Sequence, residues 1–222
     1  MALDNLSGLQ SGTLTLGIFP TFLNTVVPRT VAGFNRDYPK VAVAVRALRA
    51  GPIEEQLLRG ELDLGIGFHP TVHADIDTEP LFEERLLLVV NPSHPLAAKA
   101  TLGLAGLAGV PLALLTRSFA TRRQIDEQLR RARVEPLVRV EMESVEGLLG
   151  VCRWSDALAT IVPERAVLQF PDLHARPLKA PRLVRSAGLL WRRGASRSAA
   201  AQEFARRLRG IEEERAQGAQ AP

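Results

Sequence analysis

Strand and helix patterns alternate along the first third of the chain, and this alternation constrains the fold more than any other feature. The segments "TLTLGIF" (13–19), "VAVAVRAL" (41–48) and "LDLGIGF" (62–68) have the two-residue apolar period of β-strands. Apolar residues between the first two segments have helical spacing, and "GPIEEQLLRGE" (51–61) has the early proline and late glycine of a short helix. Strand, helix, strand, helix, strand is the order of a parallel α/β unit.

The third strand carries two glycines, Gly65 and Gly67, on one face. Glycine weakens a strand, so this spacing predicts that another backbone or a ligand comes close to that face. Both faces of a parallel sheet are covered by helices, and close packing of a helix accounts for Gly65. Gly67 lies nearer the carboxyl end of the strand, where open α/β sheets bind ligands, so a pocket wall is the other interpretation there.

The same alternation returns after residue 90. Strand and helix patterns follow each other at 86–90, 111–116, 121–132, 137–142 and 145–154, and a last strand and a charged helix occupy 186–193 and 197–215. We therefore predict two lobes, each a mainly parallel sheet flanked by helices: lobe I at 12–90 and 185–212, and lobe II at 91–184. Residues 213–222 have nothing to bury and are predicted to be disordered. Two lobes joined by two crossover segments form a cleft that can close on a ligand.

Composition excludes several classes of protein. With 46% hydrophobic and 23% charged residues among 222, the sequence is typical of a soluble globular protein. No apolar run approaches the roughly 18 residues that cross a bilayer, and residues 1–10 lack a signal-peptide pattern, so we predict a cytoplasmic protein that does not associate with membranes. The net charge of +4 comes with arginines spread along the chain, which does not favour nucleic-acid binding by these residues.

Motifs for catalysis, cofactors and metals are missing from the sequence. It has no Gly-x-Gly-x-x-Gly turn, no phosphate-binding loop and no histidine pair at metal spacing. Cys152 is the single cysteine and has no disulfide partner within the chain, and we interpret it as a buried structural thiol. Glu83 and Glu84 are interpreted as charges at a strand edge. We therefore predict no catalytic residues, no metal and no cofactor.

Five fragments, in this order and at these distances, carry a family resemblance. They are "SGTLTLGIFPTF", "FNRDYPKVAVAV", "LLRGELDLGIGF", "LLLVVNPSHPLA" and "GLLWRRGASRSAAAQEFARRL". Together they resemble the effector-binding domain of LysR-type bacterial transcriptional regulators, from about Ser11 to about Leu208. Within the family, "RSFATRRQIDEQL" most resembles the cyanate-responsive regulators.

The resemblance implies a type 2 periplasmic-binding-protein-like fold with a small effector in the cleft between two lobes. It also implies an N-terminal winged helix-turn-helix domain and a linker helix that this sequence lacks, so DNA binding belongs to that missing domain. "MALDNLSGLQ" resembles the end of such a linker, and residues 1–11 are predicted to be its remnant. Family members form homodimers of this domain and homotetramers at full length, and the helical segments 22–34 and 144–154 are candidates for the dimer contact.

Small hydroxyl side chains follow strands in both predicted lobes. Thr21 follows the first strand, and Thr116, Ser118 and Thr121 follow "PLALL". Helix N-termini at such turns favour an anion, and hydroxyls there can donate to its oxygens. The resemblance places effector contacts at Thr21, Phe68-His69 and Ser118-Phe119. The full set of predicted effector contacts is Thr21, Phe22, Phe68, His69, Ser118, Phe119, Thr121 and Ser144.

Several of these residues also have a purely structural interpretation. Thr21, Thr121 and Ser144 fit helix caps, with Thr121 and Gln124 at capping-box spacing. His69 can simply occupy a turn before proline. Arg122, in a first helical turn, is either solvated or held by a negative partner.

Three function classes follow from these observations. The leading one is the ligand-sensing domain of a transcriptional regulator that binds a small, anionic effector. The alternative is an extracytoplasmic solute-binding protein of similar fold, which the missing signal peptide disfavours. An enzyme on the same fold is the third, and the absence of a convergent catalytic set argues against it.

Overall fold

The computed structural model describes residues 11–24, 26–71, 73–179 and 183–218. The chain divides into two units, which are Met1–Phe82 with Ser186–Pro222 (unit 1) and Glu83–Arg185 (unit 2). The predicted linker remnant lies, up to residue 10, outside the described residues. The sequence prediction put the first crossing after residue 90, whereas the units divide after Phe82, within the long strand Ile76–Val90.

Ten strands and seven α-helices are formed by the described residues. In chain order they are β1 (Gly12–Ile18), α1 (Pro20–Leu23), α2 (Val27–Asp37), β2 (Val41–Ala47), α3 (Ala50–Leu58), β3 (Leu64–Phe68), β4 (Ile76–Val90), β5 (Leu102–Gly103), β6 (Pro111–Leu115), α4 (Ala120–Arg131), β7 (Leu137–Met142), α5 (Val145–Arg153), β8 (Ala159–Pro163), α6 (Glu164–Val167), β9 (His174–Lys179), β10 (Val184–Arg192) and α7 (Ala199–Gly218). Short 3-10 helices occupy Pro95–Ala98 and Leu104–Leu107.

Unit 1 is a mainly parallel sheet in the order β2-β1-β3-β10. β1 runs parallel to both β2 and β3, and β10 returns antiparallel to β3. The parallel pairs follow from the strand–helix–strand order of the sequence, since each crossover helix returns the chain to the end of the sheet at which the previous strand began. The buried residues Leu14, Leu16 and Ile18 show the central position of β1 in this unit's core.

The two glycines of β3 are surrounded by side chains of unit 1. A Cβ atom on Gly65 would lie 2.8 Å from Ile53 Cγ2 and 3.0 Å from Leu57 Cδ1, both on α3. Gly67 is less crowded, because the nearest atoms to a Cβ there would be those of Leu190 at 3.5 Å. Close packing of a helix therefore explains Gly65, as predicted, and Gly67 meets a side chain of β10 at an ordinary distance.

Unit 2 has the sheet order β4-β8-β6-β7. β6 runs parallel to β7 and β8, whereas β4 pairs antiparallel with β8 and with β9. Its core is a cluster of buried aliphatic side chains that includes Leu88, Leu114 and Leu129. The predicted α/β class with mainly parallel sheets is confirmed.

Local details differ from the sequence predictions at four places. The apolar stretch at 22–34 forms two helices, α1 and α2. Helix α4 begins at Ala120 with Phe119 as its N-cap residue, so Thr121 is not its cap, and Gln124 donates instead to the carbonyl of Val184. Thr21 lies within α1, whose N-cap is Phe19. Helix α7 continues to Gly218, past residue 215 where the predicted helix ended and into the tail at 213–222 that was predicted to be disordered, and residues 219–222 lie outside the described part.

Candidate functional site

The first candidate turn connects β1 to the one-turn helix α1 in unit 1. Thr21 is half-buried on this helix, and Phe22 beside it is fully buried. The backbone N–H of Phe19 donates to the carbonyl of Ile66 at 2.9 Å, which joins the start of the turn to β3. The turn is therefore held against the neighbouring strand end that carries Phe68.

An aromatic cluster lies under this turn. The ring of Phe68 packs 4.5 Å from the Phe19 ring and 5.4 Å from the Phe22 ring, measured between centroids, and Phe82 packs 5.5 Å from Phe22. Tilted and edge-to-face pairs at these distances are favourable beyond the burial of their area. Phe22 and Phe68, both predicted effector contacts, are thus in contact with each other within this apolar cluster.

His69 follows directly at the end of β3. Its backbone N–H donates to Ser186 O at 2.9 Å, and its Nδ1 lies 3.0 Å from the hydroxyl of Thr78. A Cβ on Gly188 would come within 2.8 Å of His69 Cβ, so the glycine makes room for the imidazole. These contacts fix the ring while leaving the residue half-exposed at the strand end.

The second candidate turn, residues 116–119, connects β6 to the twelve-residue helix α4 in unit 2. The hydroxyls of Thr116 and Ser118 lie 2.7 Å apart, and either can be the donor. Ser118 is exposed, whereas Phe119 is buried beneath it. Arg123 Nη1 donates to the Ser118 carbonyl at 3.1 Å, which brings a guanidinium to the same turn.

Ser144 lies at the neighbouring turn, after β7. The Thr116 N–H donates to Met142 O at 3.0 Å, so the turns that follow β6 and β7 are side by side. Ser144 Oγ accepts from Gly147 N–H at 3.1 Å and donates to Glu146 at 2.8 Å. The prediction that Ser144 caps α5 is confirmed. The structure therefore brings Ser118, Phe119, Thr121 and Ser144 to adjacent strand ends of one unit.

Arg122 is buried, although it stands in the first turn of α4. Its guanidinium donates to Asp126 at 2.8 Å, to Glu141 at 2.6 Å and to the carbonyl of Leu115 at 2.6 Å. Of the two interpretations of Arg122, the held cation is therefore correct. The arginine fixes α4 to the end of β6, directly behind the candidate turn.

A buried ion pair in unit 2 was missed by the sequence reasoning. Glu84 is buried and accepts from Arg185 Nε at 2.7 Å, and Arg185 Nη1 donates to the hydroxyl of the fully buried Thr121 at 3.1 Å. Burial raises the pKa of Glu84, and the neighbouring Arg185 opposes this effect. The interpretation of Glu84 as a strand-edge charge was wrong. The period of two in β4 carried the signal, because it places Glu84 on the same face as the buried Leu86 and Leu88.

Other candidate chemistry is limited in the described residues. They contain no group of three or more His, Cys, Asp and Glu side chains that can hold a metal ion. Burial raises the pKa of Cys152 to about 12, which makes its thiol unreactive at neutral pH. None of the helices described is both long and apolar enough to cross a bilayer.

The fold and the two strand-end turns define a two-unit α/β protein of the type 2 periplasmic-binding-protein-like class. Residues 7–211 match the LysR substrate binding domain, and the chain belongs to that family. The predicted family is therefore confirmed, and with it the role of an effector-binding domain of a LysR-type transcriptional regulator.

Proteins of similar sequence include transcriptional regulators. The HTH-type transcriptional regulator YybE of Bacillus subtilis is 26% identical over 195 residues, which are 88% of this chain and 66% of YybE. The transcriptional dual regulator GltC of the same organism is 27% identical over 183 residues, which are 81% of this chain and 60% of GltC. The chain thus spans roughly 60–66% of the length of these relatives, and the relatives do not favour the alternative of a solute-binding protein.

Solved structures show the same fold. The effector-binding domain of QuiR in complex with shikimate has a TM-score of 0.79 at 20% identity and covers 92% of this chain and 99% of its own. The regulatory domain of CcmR from Synechocystis PCC6803 in complex with 2-PG has a TM-score of 0.82 at 20% identity and covers 91% of this chain and 98% of its own. At these identities the likeness supports the fold alone.

Proposed function

We propose that this LysR-type effector-binding domain senses a small anion. The observation that carries the proposal is the turn at 116–119, where exposed hydroxyls precede the N-terminus of the twelve-residue helix α4. Free N–H groups and the positive end of the helix dipole favour negative charge at such a turn. The exposed Arg123 adds a full positive charge nearby.

The predicted contact residues fall into two groups by burial. The half-buried or exposed side chains Thr21, Phe68, His69 and Ser118 are proposed to contact the effector directly. The buried side chains Phe22, Phe119 and Thr121 are proposed to support these contacts from behind. Ser144, exposed at the adjacent turn, is proposed to add a polar contact to the group in unit 2.

Calorimetric titration with a panel of small molecules tests this proposal. The panel holds sodium cyanate, acetate, methanesulfonate, 2-PG and shikimate, with acetamide as an uncharged comparison. We expect at least one anion to bind more tightly than acetamide. The proposal of an anionic effector fails if acetamide binds as tightly as every anion or if no anion binds.

A matched variant keeps this test specific. Ser118→Ala removes one hydroxyl from the exposed turn and should weaken the best anion by about 1.5 to 3 kcal/mol, the range for a hydrogen bond to a charged group. Thr13→Val, at an exposed position of β1, is the control and should bind like the wild type. Equal loss in both variants would mean that the substitutions act through stability.

We also propose that the domain forms a homodimer through α2 and α5. Trp154, at the end of α5, is 89% exposed, which is unusual for so large an apolar side chain. We expect light scattering at micromolar concentration to give a dimer, and Trp154→Ser to shift it toward monomer. The exposed Lys99→Ser variant is the control. A wild-type protein that stays monomeric would contradict the proposal.

The whole regulator is proposed to be a cytoplasmic homotetramer. In this proposal its DNA contacts come only from an N-terminal winged helix-turn-helix domain that the present sequence does not contain. The HTH-type relatives, which are longer than this chain, support the assignment. Gel-shift measurements should show DNA binding by the full-length protein and none by residues 1–222 alone; equal binding by both would contradict it.

A further inference from the structure

We infer that Thr121, Gln124, Arg185 and Glu84 form a positioning network that ties the first turns of α4 to the two chain segments linking the units. The linking segments are 83–86 and 183–186, on either side of the divisions at Phe82–Glu83 and Arg185–Ser186. The inference rests on the proposed function, because it gives the turn at 116–119 a mechanical connection. In this inference Thr121 is a positioning residue for the turn at 116–119, and all contacts of the network lie within unit 2.

The first tie runs through a buried cation. Arg185 Nη1 donates to Thr121 Oγ1 at 3.1 Å, while Arg185 Nε donates to Glu84 at 2.7 Å. Thr121 is the second residue of α4, Arg185 belongs to the second linking segment, and Glu84 belongs to the first. One guanidinium therefore touches the helix start and both linking segments.

The second tie is made one turn further along α4. Gln124 Nε2 donates to the carbonyl of Val184 at 2.7 Å. In addition, the backbone N–H of Leu86 donates to the carbonyl of Leu183 at 2.7 Å, which joins the two linking segments to each other. Helix α4 thus holds the second linking segment at two successive residues, and that segment holds the first.

Burial makes this connection stiff. Glu84, Arg185 and Thr121 are all buried, so water cannot replace a bond that stretches. In a low-dielectric interior a buried polar network that keeps its hydrogen bonds rigidifies its surroundings, because an unpaired group there is costly. A displacement of the turn at 116–119 must therefore either carry Arg185 along or break a buried hydrogen bond.

Amide hydrogen exchange without any ligand tests the network. The variants are Thr121→Val, which removes the acceptor oxygen, and Gln124→Met, which removes the donor. Gln128→Met, one turn further along the same helix, is the control. The reporter is the Leu86 amide, which bridges the two linking segments. We expect at least about threefold faster exchange at Leu86 in both variants, since local opening depends on local bonds.

Three outcomes decide the inference. Wild-type exchange at Leu86 in the control, with acceleration in both test variants, supports it, and Thr121→Ser should restore the wild-type rate because it keeps the oxygen. Exchange at Leu86 that matches the control in both variants overturns it. Equal acceleration of all unit 2 amides also overturns it, because that indicates general destabilisation. The proposed anion plays no part in this measurement, so the two proposals fail independently.

Discussion

The two candidate turns have the same position in the sequence pattern and different physical surroundings. In unit 1 the turn after β1 leads into a helix of four residues and lies on a cluster of phenylalanine rings. In unit 2 the turn after β6 leads into a helix of twelve residues and is backed by the buried arginines Arg122 and Arg185. A one-turn helix has little dipole to offer, whereas a three-turn helix has a full N-terminal charge. We therefore propose that the preference for an anion comes from unit 2.

The two kinds of support also respond differently to mutation. An aromatic cluster loses stability in proportion to the area and volume removed. A buried ion pair loses most when one partner is removed alone, because the remaining charge stays in the interior. The predictions below test whether this contrast holds.

The largest expected effect is that of Arg185→Ala. It leaves the buried carboxylate of Glu84 with Arg165 Nε at 3.9 Å as a remaining ion-pair partner, and the free energy of unfolding should fall by about 3–5 kcal/mol. Replacing both partners, in Glu84→Met with Arg185→Met, should recover part of this loss, because neither partner then leaves the other's charge in the interior, although Arg165 loses its 3.9 Å contact with Glu84. Urea titrations of the single and double variants provide the measurement.

Phe22→Ala gives the matching test in unit 1. It should cost about 3–5 kcal/mol of unfolding free energy through the cavity it leaves, and substitution of the neighbouring Phe68 with Met should not recover that loss.

If the double variant Glu84→Met with Arg185→Met in unit 2 were as unstable as Arg185→Ala, the ionic interpretation of that support would be wrong.

A smaller effect is expected from crowding at β3. Gly65→Ala places a methyl group 2.8 Å from Ile53 Cγ2 and should cost about 1–3 kcal/mol. Gly67→Ala is the matched control, because its methyl would meet Leu190 at 3.5 Å. Thermal melting compares them, and equal melting temperatures would contradict the packing explanation of Gly65.

The pH dependence of unit 2 is expected to be smaller still. Burial lowers the pKa of His94, whose Nδ1 accepts from the Leu96 N–H at 3.0 Å, so the folded state binds a proton less readily than the unfolded state. Its contribution to stability is complete above the unfolded pKa of about 6.5 and is lost as the pH falls through the folded pKa.

His94→Asn isolates this contribution. Asparagine keeps an acceptor for the Leu96 N–H and does not titrate. Between about pH 7.5 and about pH 5 the wild type should lose more unfolding free energy than the variant. Parallel stability curves for the two proteins would mean that His94 is not the source.

The sequence predicted the larger features because they depend on periodicity. The strand–helix–strand alternation that begins with the strand at 13–19 predicted the α/β class, and five fragments in register predicted the family. The period of two in β4 indicated the buried face for Glu84, but its partner Arg185 was not predictable, because the two residues are about a hundred positions apart in the chain. Thr121 fitted a cap by its spacing with Gln124, but Arg185 and Val184 bind these two side chains instead. Such partners are chosen by tertiary contact, which local patterns do not contain.

The most direct test of this contrast compares Ser118→Ala with Thr21→Val for the anion that binds best to the wild type. Calorimetry should show that Ser118→Ala weakens binding by about 1.5–3 kcal/mol and Thr21→Val by about 0.5–1.5 kcal/mol, since the turn with the long helix carries the stronger, charge-assisted hydrogen bond. Thr13→Val should leave the affinity unchanged. Wild-type affinity in Ser118→Ala, or a larger loss in Thr21→Val, would contradict the assignment of anion preference to unit 2.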